Sequence, residues 1–137
     1  MAIKTRAQTL EGYFHQDMIA LCFALRQEGY WPVHFHRSVE EIGGLRAAKR
    51  LLHSVNYSEG FLRLEGMGLL AWSIESHALF PWYQELFTEE ELDVARSRLV
   101  AFGFSGHLAA RHSPEPPAWY EELSASWLEE GGPNGAR

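Results

Sequence analysis

Two histidines separated by one residue, His34 and His36, are the first side chains in the sequence whose spacing could serve a metal ion. On a β-strand, a His-x-His pair places both imidazoles on one face, where they can chelate zinc. On a helix with about 3.6 residues per turn, the two side chains diverge by about 200°. The pair follows Trp31-Pro32 in a segment with helical character. The sequence therefore predicts no metal site here, and the two histidines are expected at the surface or in hydrogen bonds.

Glu75 is the ionisable residue with the most apolar surroundings in the sequence. It lies in the segment LLAWSIESHALF, residues 69–80, next to Ser73 and His77. Carboxylates are almost never fully buried unless they are paired, so we expect Glu75 to be buried against a cation or several hydrogen-bond donors. The alternatives are an exposed helix edge and a functional acid or base with a raised pKa. Glu75 and His77 are two residues apart on one helix and do not face each other, so they are not by themselves a catalytic dyad.

The other nucleophile and ligand candidates are isolated in the sequence. Cys22, the single cysteine, lies in the apolar run IALCFAL and is predicted to be a small buried side chain. One cysteine excludes zinc sites that need two or four. His107 and His112 lie in a predicted connector and are expected to be solvated. A Gly-x-Ser-x-Gly elbow and a phosphate-binding loop are both missing from the sequence. We therefore predict no metal, no cofactor and no catalytic residue.

Tryptophan and tyrosine residues form two clusters near predicted turns. Such side chains are enriched at protein interfaces, because they combine a large contact area with a polar group. They also close small helical cores from the outside, and the sequence leaves both interpretations open. The candidate interface residues are Trp82, Tyr83, Trp119, Tyr120 and Trp127.

Length and composition limit the classes of protein. With 137 residues and 46% apolar residues, the chain is expected to form one domain over residues 1–130, followed by a flexible tail at 131–137. The formal charge of −6 argues against broad contact with a phosphate backbone, although Arg46, Lys49 and Arg50 form a possible local basic patch. No signal-peptide core is visible at the amino terminus, and no apolar run approaches the ~20 residues needed to span a bilayer. We expect a cytoplasmic protein that has no membrane partner.

The elements that must position these side chains are all predicted to be helices. The clearest runs within residues 86–104, where Thr88 and Glu91 have the spacing of a capping box and Gly103 supplies a left-handed stop. Its apolar stripe comprises Leu92, Ala95, Leu99 and Phe102.

Further helices are predicted from apolar periodicity and from punctuation by Gly, Pro and Ser. They cover residues 10–28, 33–42, 45–53, a short segment after Ser58, residues 69–80 and a last helix opened by Pro117; residues 1–8 are predicted to be a loose start and residues 105–117 a connector. No segment alternates with the period of a strand. The predicted fold class is all-α, a compact bundle of five to seven short helices.

Five short motifs follow one another within residues 12–104. They are Gly29, Tyr30 and Phe35; Gly43, Gly44, Ala47, Leu51 and Leu52; Gly60, Phe61 and Leu64; Leu70, Ser73 and Glu75; and Leu86, Phe87, Thr88 and Glu91. This order resembles a family of small, uncharacterised bacterial helical proteins. The chain departs from the family pattern at Ala71-Trp72, where relatives have an acidic residue. The resemblance implies a helical fold and a setting near phage-defence or mobile genes, and it transfers no catalytic residue.

Three functions remain open at this stage. The first is a helical protein-binding or regulatory module without catalytic activity, which docks to another protein or to itself. The second is a phage- or defence-related inhibitor that presents an acidic surface to a nucleic-acid-binding protein, and it requires acidic residues along one face. The third is a small hydrolase or metal-dependent enzyme that uses Glu75 and histidines, and it requires a pocket that joins Glu75 to two imidazoles. The missing catalytic motifs and the aromatic clusters favour the first.

Overall fold

The computed structural model describes the backbone of residues 4–129 and the side chains in this range, except at positions 107 and 126–129. Within these limits the chain forms eight α-helices and no strand, which confirms the all-α prediction. The predicted tail at 131–137 lies outside the described residues. The helices are α1 (Arg6–Gln27), α2 (Val33–Ile42), α3 (Gly44–Leu52), α4 (Glu59–Met67), α5 (Ile74–Ala78), α6 (Glu89–Ala101), α7 (Gly106–Arg111) and α8 (Ala118–Glu129), with 3-10 turns at Leu70–Trp72 and Gln84–Leu86.

Helix α1 begins four residues earlier than the apolar pattern predicts. Thr5 is its N-cap: the Thr5 hydroxyl accepts a hydrogen bond from the backbone N–H of Gln8, and the Gln8 side chain accepts one from the backbone N–H of Thr5. This is a second capping box, and its two hydrogen bonds satisfy two backbone donors at the start of the helix. The prediction of a loose start over residues 1–8 is therefore wrong from Thr5 onward.

Helix α6 has the capping box that the sequence predicts. The N–H of Glu91 lies 3.1 Å from the Thr88 hydroxyl, and the Glu91 carboxylate accepts the N–H of Thr88 at 2.8 Å. Gly103 has φ +78°, the left-handed conformation expected after the helix. One member of the predicted stripe is not buried: Phe102 is 36% exposed, and its ring makes edge contacts with Tyr57 and with the core residue Phe61.

The segment 69–80 is not the single buried helix that its composition predicts. A 3-10 turn at Leu70–Trp72 comes first, and Ser73 then begins α5 as its N-cap. The Ser73 hydroxyl accepts the N–H of Ser76 and donates to the carbonyl oxygen of Leu70. A serine hydroxyl competes with the backbone for such bonds, and this local competition breaks the helix.

A short helix, α7, also replaces part of the predicted connector, so that prediction is wrong over Gly106–Arg111. Ala109 and Ala110 lie within it and have high helix propensity. Pro117 directly precedes α8, as predicted. The additional helix brings the number in the described range above the predicted five to seven.

Helix α1 is the centre of the bundle and packs against α2 and α3. The start of α3 approaches it very closely: a Cβ atom on Gly44 would lie 2.8 Å from Cα of His15. The Gly44 N–H also donates to Nδ1 of His15 at 2.9 Å. Only glycine permits this approach. The core side chains of α1 are Leu10, Phe14, Met18, Leu21, Cys22 and Leu25.

Candidate functional site

Glu75 is buried and paired, as the sequence predicts. Its side chain is 2% exposed, and Oε2 lies 3.0 Å from Nη1 of Arg98 on α6. Burial raises the pKa of Glu75 above its ordinary value, and the hydrogen bond and charge of Arg98 offset part of this rise. The structure therefore holds a carboxylate at this depth by giving it a cationic partner.

Arg98 connects Glu75 to two further parts of the fold. Its Nη1 also donates to the carbonyl oxygen of Leu51 at the end of α3, and its Nη2 donates to the carbonyl oxygen of Ser54 in the following loop. Three elements and one loop thus meet at one guanidinium. The five donors of an arginine in a fixed planar array suit this arrangement.

Glu75 lies in the lining of an apolar cleft of about 210 Å³, which we call the Glu75 cleft. The cleft is formed by the second half of α1, the start of α2, α3, the start of α4 and the start of α5. Because Glu75 and Ser73 are almost fully buried, they belong to its interior. Most of the wall is apolar and includes Leu25, Phe35, Ala47, Phe61, Leu64 and Ile74.

The rim of the Glu75 cleft combines exposed apolar and charged groups. Trp31 and Val33 are 37% and 43% exposed and belong to its lining. His34, Arg50 and Glu59 are also exposed lining residues. No acidic side chain in the part of the chain that the structure describes lies within ion-pair distance of Arg50. The rim therefore offers a cation that is available to a ligand.

An aromatic cluster that the sequence analysis missed adjoins this rim. The rings of Phe23 and Trp31 are 5.5 Å apart, His36 lies 4.7 Å from Trp31, and the Arg26 guanidinium lies over Trp31 at 5.6 Å. Phe23 is 46% exposed. The available signal was its place off the buried α1 stripe, which a single apolar run such as IALCFAL conceals.

The predicted interface residues Trp82 and Tyr83 are core residues instead. They are 4% and 0% exposed, and the Tyr83 ring meets the edge of Phe14 at 5.0 Å. They offer no surface to a partner, so their prediction as interface residues is wrong. Both belong to the turn before the 3-10 segment Gln84–Leu86, which folds onto α1.

The aromatic residues of α8 close the bundle from outside. The Trp119 ring stacks on Tyr13 of α1, with centroids 4.1 Å apart, and Tyr120 lies 6.1 Å from Trp82. Both Trp119 and Tyr120 are half-buried against the core. The side chain of Trp127 lies outside the described residues. The contacts in the described part of α8 therefore fit the core interpretation of these aromatics.

The histidines do not gather around Glu75. His34 and His36 both lie on α2, and only His34 lines the Glu75 cleft. His77 lines a different cleft, and its Nδ1 lies 2.9 Å from the carbonyl oxygen of Ser73. The pocket with two imidazoles that the enzyme hypothesis requires is therefore not formed by the described side chains. In the described part of the chain, no three His, Cys, Asp or Glu side chains lie close enough together to hold a metal ion.

Two other candidates have partners or are inaccessible. Cys22 is fully buried, and burial raises the pKa of its thiol to about 11, so it remains a neutral thiol near neutral pH.

In the possible basic patch, the Lys49 ammonium lies 2.7 Å from the Glu91 carboxylate. Arg46 and Arg50 are exposed.

Several acidic side chains are in ion pairs. The carboxylates with a cationic or histidine partner are Glu40, Glu75, Glu85, Glu91 and Asp93.

Comparisons of the chain with protein-family models, with curated proteins and with solved structures find no match. The resemblance to a bacterial family therefore stays a prediction from the sequence pattern. Among the described residues, no helix has the length and apolar character needed to cross a membrane.

Proposed function

We propose that this chain is a protein-binding module that receives one large apolar side chain of its partner in the Glu75 cleft. The observation that supports this proposal is an apolar cleft whose rim exposes Trp31 and Val33. Exposed aromatic groups around a pocket are typical of binding hot spots, where one buried anchor provides most of the affinity.

The size of the cleft favours a side chain over a complete small molecule. Pockets for drug-sized ligands usually enclose about 300–1,000 Å³. The Glu75 cleft, at about 210 Å³, is smaller. A single aliphatic or aromatic side chain is the more fitting occupant, and the neighbouring surface around Trp31 and Phe23 then contacts the rest of the partner segment.

The charges at the rim define the partner more closely. Arg50, His34 and Glu59 are the ionisable residues of the rim, and the guanidinium of Arg50 has no acidic partner among the described residues. A carboxylate next to the apolar anchor would meet this cation in a partly desolvated position, where charge complementarity contributes to specificity. We therefore expect a partner segment with a large apolar residue and an acidic residue close to it.

The interior of the cleft is fixed before a partner arrives. The ion pair of Glu75 with Arg98, and the bonds of Arg98 to the carbonyl oxygens of Leu51 and Ser54, hold α3, α5 and α6 together. A preorganised site avoids part of the ordering cost of binding.

The proposal can be tested with a substitution that fills the Glu75 cleft and leaves the core side chains unchanged. Gly60 lines the cleft inside α4, and a Cβ atom there would meet only the Tyr30 hydroxyl at 3.6 Å and Oγ of Ser58 at 3.9 Å. Gly60→Leu should therefore fold and occupy the cleft. Gly66→Leu is the matched control, because Gly66 lies on the same helix, is exposed and has no atom within 4 Å of its Cβ position.

Peptides selected from a displayed random library on the purified protein should share an apolar anchor with an acidic neighbour. Their binding should weaken by about tenfold or more in Gly60→Leu, as for loss of a hot spot, and should persist in Gly66→Leu. N-acetylphenylalaninamide should shift the amide resonances of Phe61 and Ile74 in the unmodified protein. Selected peptides that bind both variants equally, or probe shifts confined to another surface, would overturn the proposal.

A further inference from the structure

A second cleft, with a volume of about 420 Å³, contains Asp17 of α1 and His77 of α5 in its lining, together with Trp72, Phe80 and His112. We call it the Asp17 cleft. Its volume falls within the usual range of small-ligand sites, about 300–1,000 Å³. The proposed protein-binding function makes no use of it.

Asp17, unlike Glu75, Glu85 and Glu91, has no lysine or arginine partner among the described residues. Its Oδ2 accepts a hydrogen bond from the Tyr83 hydroxyl, and no ion pair to Asp17 exists among the described residues. Asp17 is half-buried, and carboxylates removed from water are normally paired. By contrast, cations contact Glu75, Glu85 and Glu91.

His77 adds a second hydrogen-bond acceptor. A carbonyl oxygen only accepts, so the contact between Nδ1 and the oxygen of Ser73 places the ring proton on Nδ1. Burial lowers the pKa of His77 against the opposing effects of the Ser73 carbonyl, Asp17 and the Trp72 carbonyl, and the ring is therefore neutral near pH 7. With the ring proton on Nδ1, Nε2 carries the lone pair, and His77 is part of the lining of the cleft.

The remaining lining fits a cation. Trp72 and Phe80 contribute aromatic rings, and the Phe80 ring lies 4.9 Å from that of His77. No lysine or arginine lies in the described lining. A carboxylate, an imidazole acceptor and two aromatic side chains in the lining of one cavity are complementary to a positively charged nitrogen with N–H groups.

We infer that the Asp17 cleft binds an organic cation with N–H donors, an alkylammonium or a guanidinium. The carboxylate of Asp17 pairs with the charge, Nε2 of His77 accepts an N–H, and the aromatic rings cover the alkyl part. Such a group is available from a free amine or from a lysine or arginine side chain of another protein. The net charge of −6 favours the approach of either one.

The experiment titrates five probes into the protein and follows the indole resonance of Trp72 by NMR. Butylammonium and butylguanidinium represent free amines. N-acetyl-lysinamide and N-acetyl-argininamide represent side chains, and N-acetyl-norleucinamide is the uncharged counterpart of the lysine probe.

The cationic probes should bind, and their binding should weaken at high salt. Asp17→Asn should weaken binding by about tenfold, as expected for loss of a charge-assisted hydrogen bond. Glu11→Gln removes one exposed charge from the same helix and should change binding by less than about twofold.

A second variant covers the case in which Asp17→Asn does not fold. Ala20 is exposed and lines the cleft, so Ala20→Leu should block it, whereas Ala7→Leu on the same helix is the control. Binding of both free and side-chain probes supports the cation site itself, and binding of one set alone also identifies the source. Equal binding of the norleucine probe, no binding of any cation, or cation binding unaffected by Ala20→Leu would refute the inference.

Discussion

The carboxylate of Glu75 and the guanidinium of Arg98 meet at 3.0 Å beside the Glu75 cleft, where the two residues are 2% and 7% exposed. The pair connects the short helix α5 to α6 and, through Arg98, to the end of α3. The interior of the proposed binding site is thus held by polar bonds as well as by apolar packing. The geometry of the Glu75 cleft should therefore change when Glu75 or Arg98 is substituted.

Substitutions of Glu75 test this relationship. Glu75→Gln keeps the shape and one hydrogen bond to Arg98 and should be the milder change. Glu75→Ala leaves the buried guanidinium without its counter-ion, which should lower the free energy of unfolding by roughly 3–5 kcal/mol. Urea unfolding measures both values, with the exposed residue Glu65 of α4 changed to Ala as the control. Equal and small losses for the two Glu75 variants would contradict the structural role.

The capping box of α6 should have a measurable energy. Thr88→Ala removes the acceptor for the N–H of Glu91 and should cost about 1 kcal/mol of stability, the usual value for an N-cap. Ser97→Ala, at an exposed position on the same helix, should change stability little. A thermal melt of Thr88→Ala that matches the unmodified protein would contradict the capping geometry.

Glu91 should make stability depend on acid pH. Burial by itself raises the pKa of Glu91, but hydrogen bonds from Lys49, the Thr88 N–H and His53 lower it overall, below the ordinary value of 4.5. A lowered folded-state pKa stabilises the fold above the unfolded pKa, and this stabilisation is lost as the pH falls through the folded-state value. Glu91→Gln should therefore be less stable at pH 7 and show a shallower loss of stability below pH 4.5. If Glu90→Gln, at an exposed position, showed the shallower loss of stability and Glu91→Gln did not, the assignment of the acid dependence to Glu91 would be wrong.

Cys22 should be inert in the folded protein. Its thiol is fully buried, and its pKa of about 11 leaves almost no thiolate at pH 8. A thiol reagent such as Ellman's reagent should react with it only after unfolding in guanidinium chloride, so that the rate follows global opening. Rapid modification under native conditions would show that the site is open.

Local patterns in the sequence determined most helix ends and the fold class. The Thr88-to-Glu91 spacing, the helix start after Ser58 and the helix over residues 33–42 are confirmed, because caps and breakers act on the nearest few residues. The same logic predicted that Glu75 would be buried with a cation, since an apolar segment leaves a carboxylate few other options. Two local signals point to helix starts that the apolar pattern does not predict. Thr5 has the spacing of a capping box with Gln8, and the Ser73 hydroxyl begins a new helix inside an apolar segment that favours one continuous helix.

Tertiary structure alone decided which partner each polar group has and which aromatics are open. Arg98 lies 23 residues from Glu75, and Asp17 lies 66 residues from Tyr83, so no local spacing indicates either contact. Burial of Trp82 and exposure of Trp31 depend on which helices cover each ring, and both residues have similar sequence neighbourhoods near prolines. The two clefts exist only where helices distant in sequence fail to fill the space between them. Sequence periodicity specifies a helix's buried face, but the shape left between several faces is set by their packing.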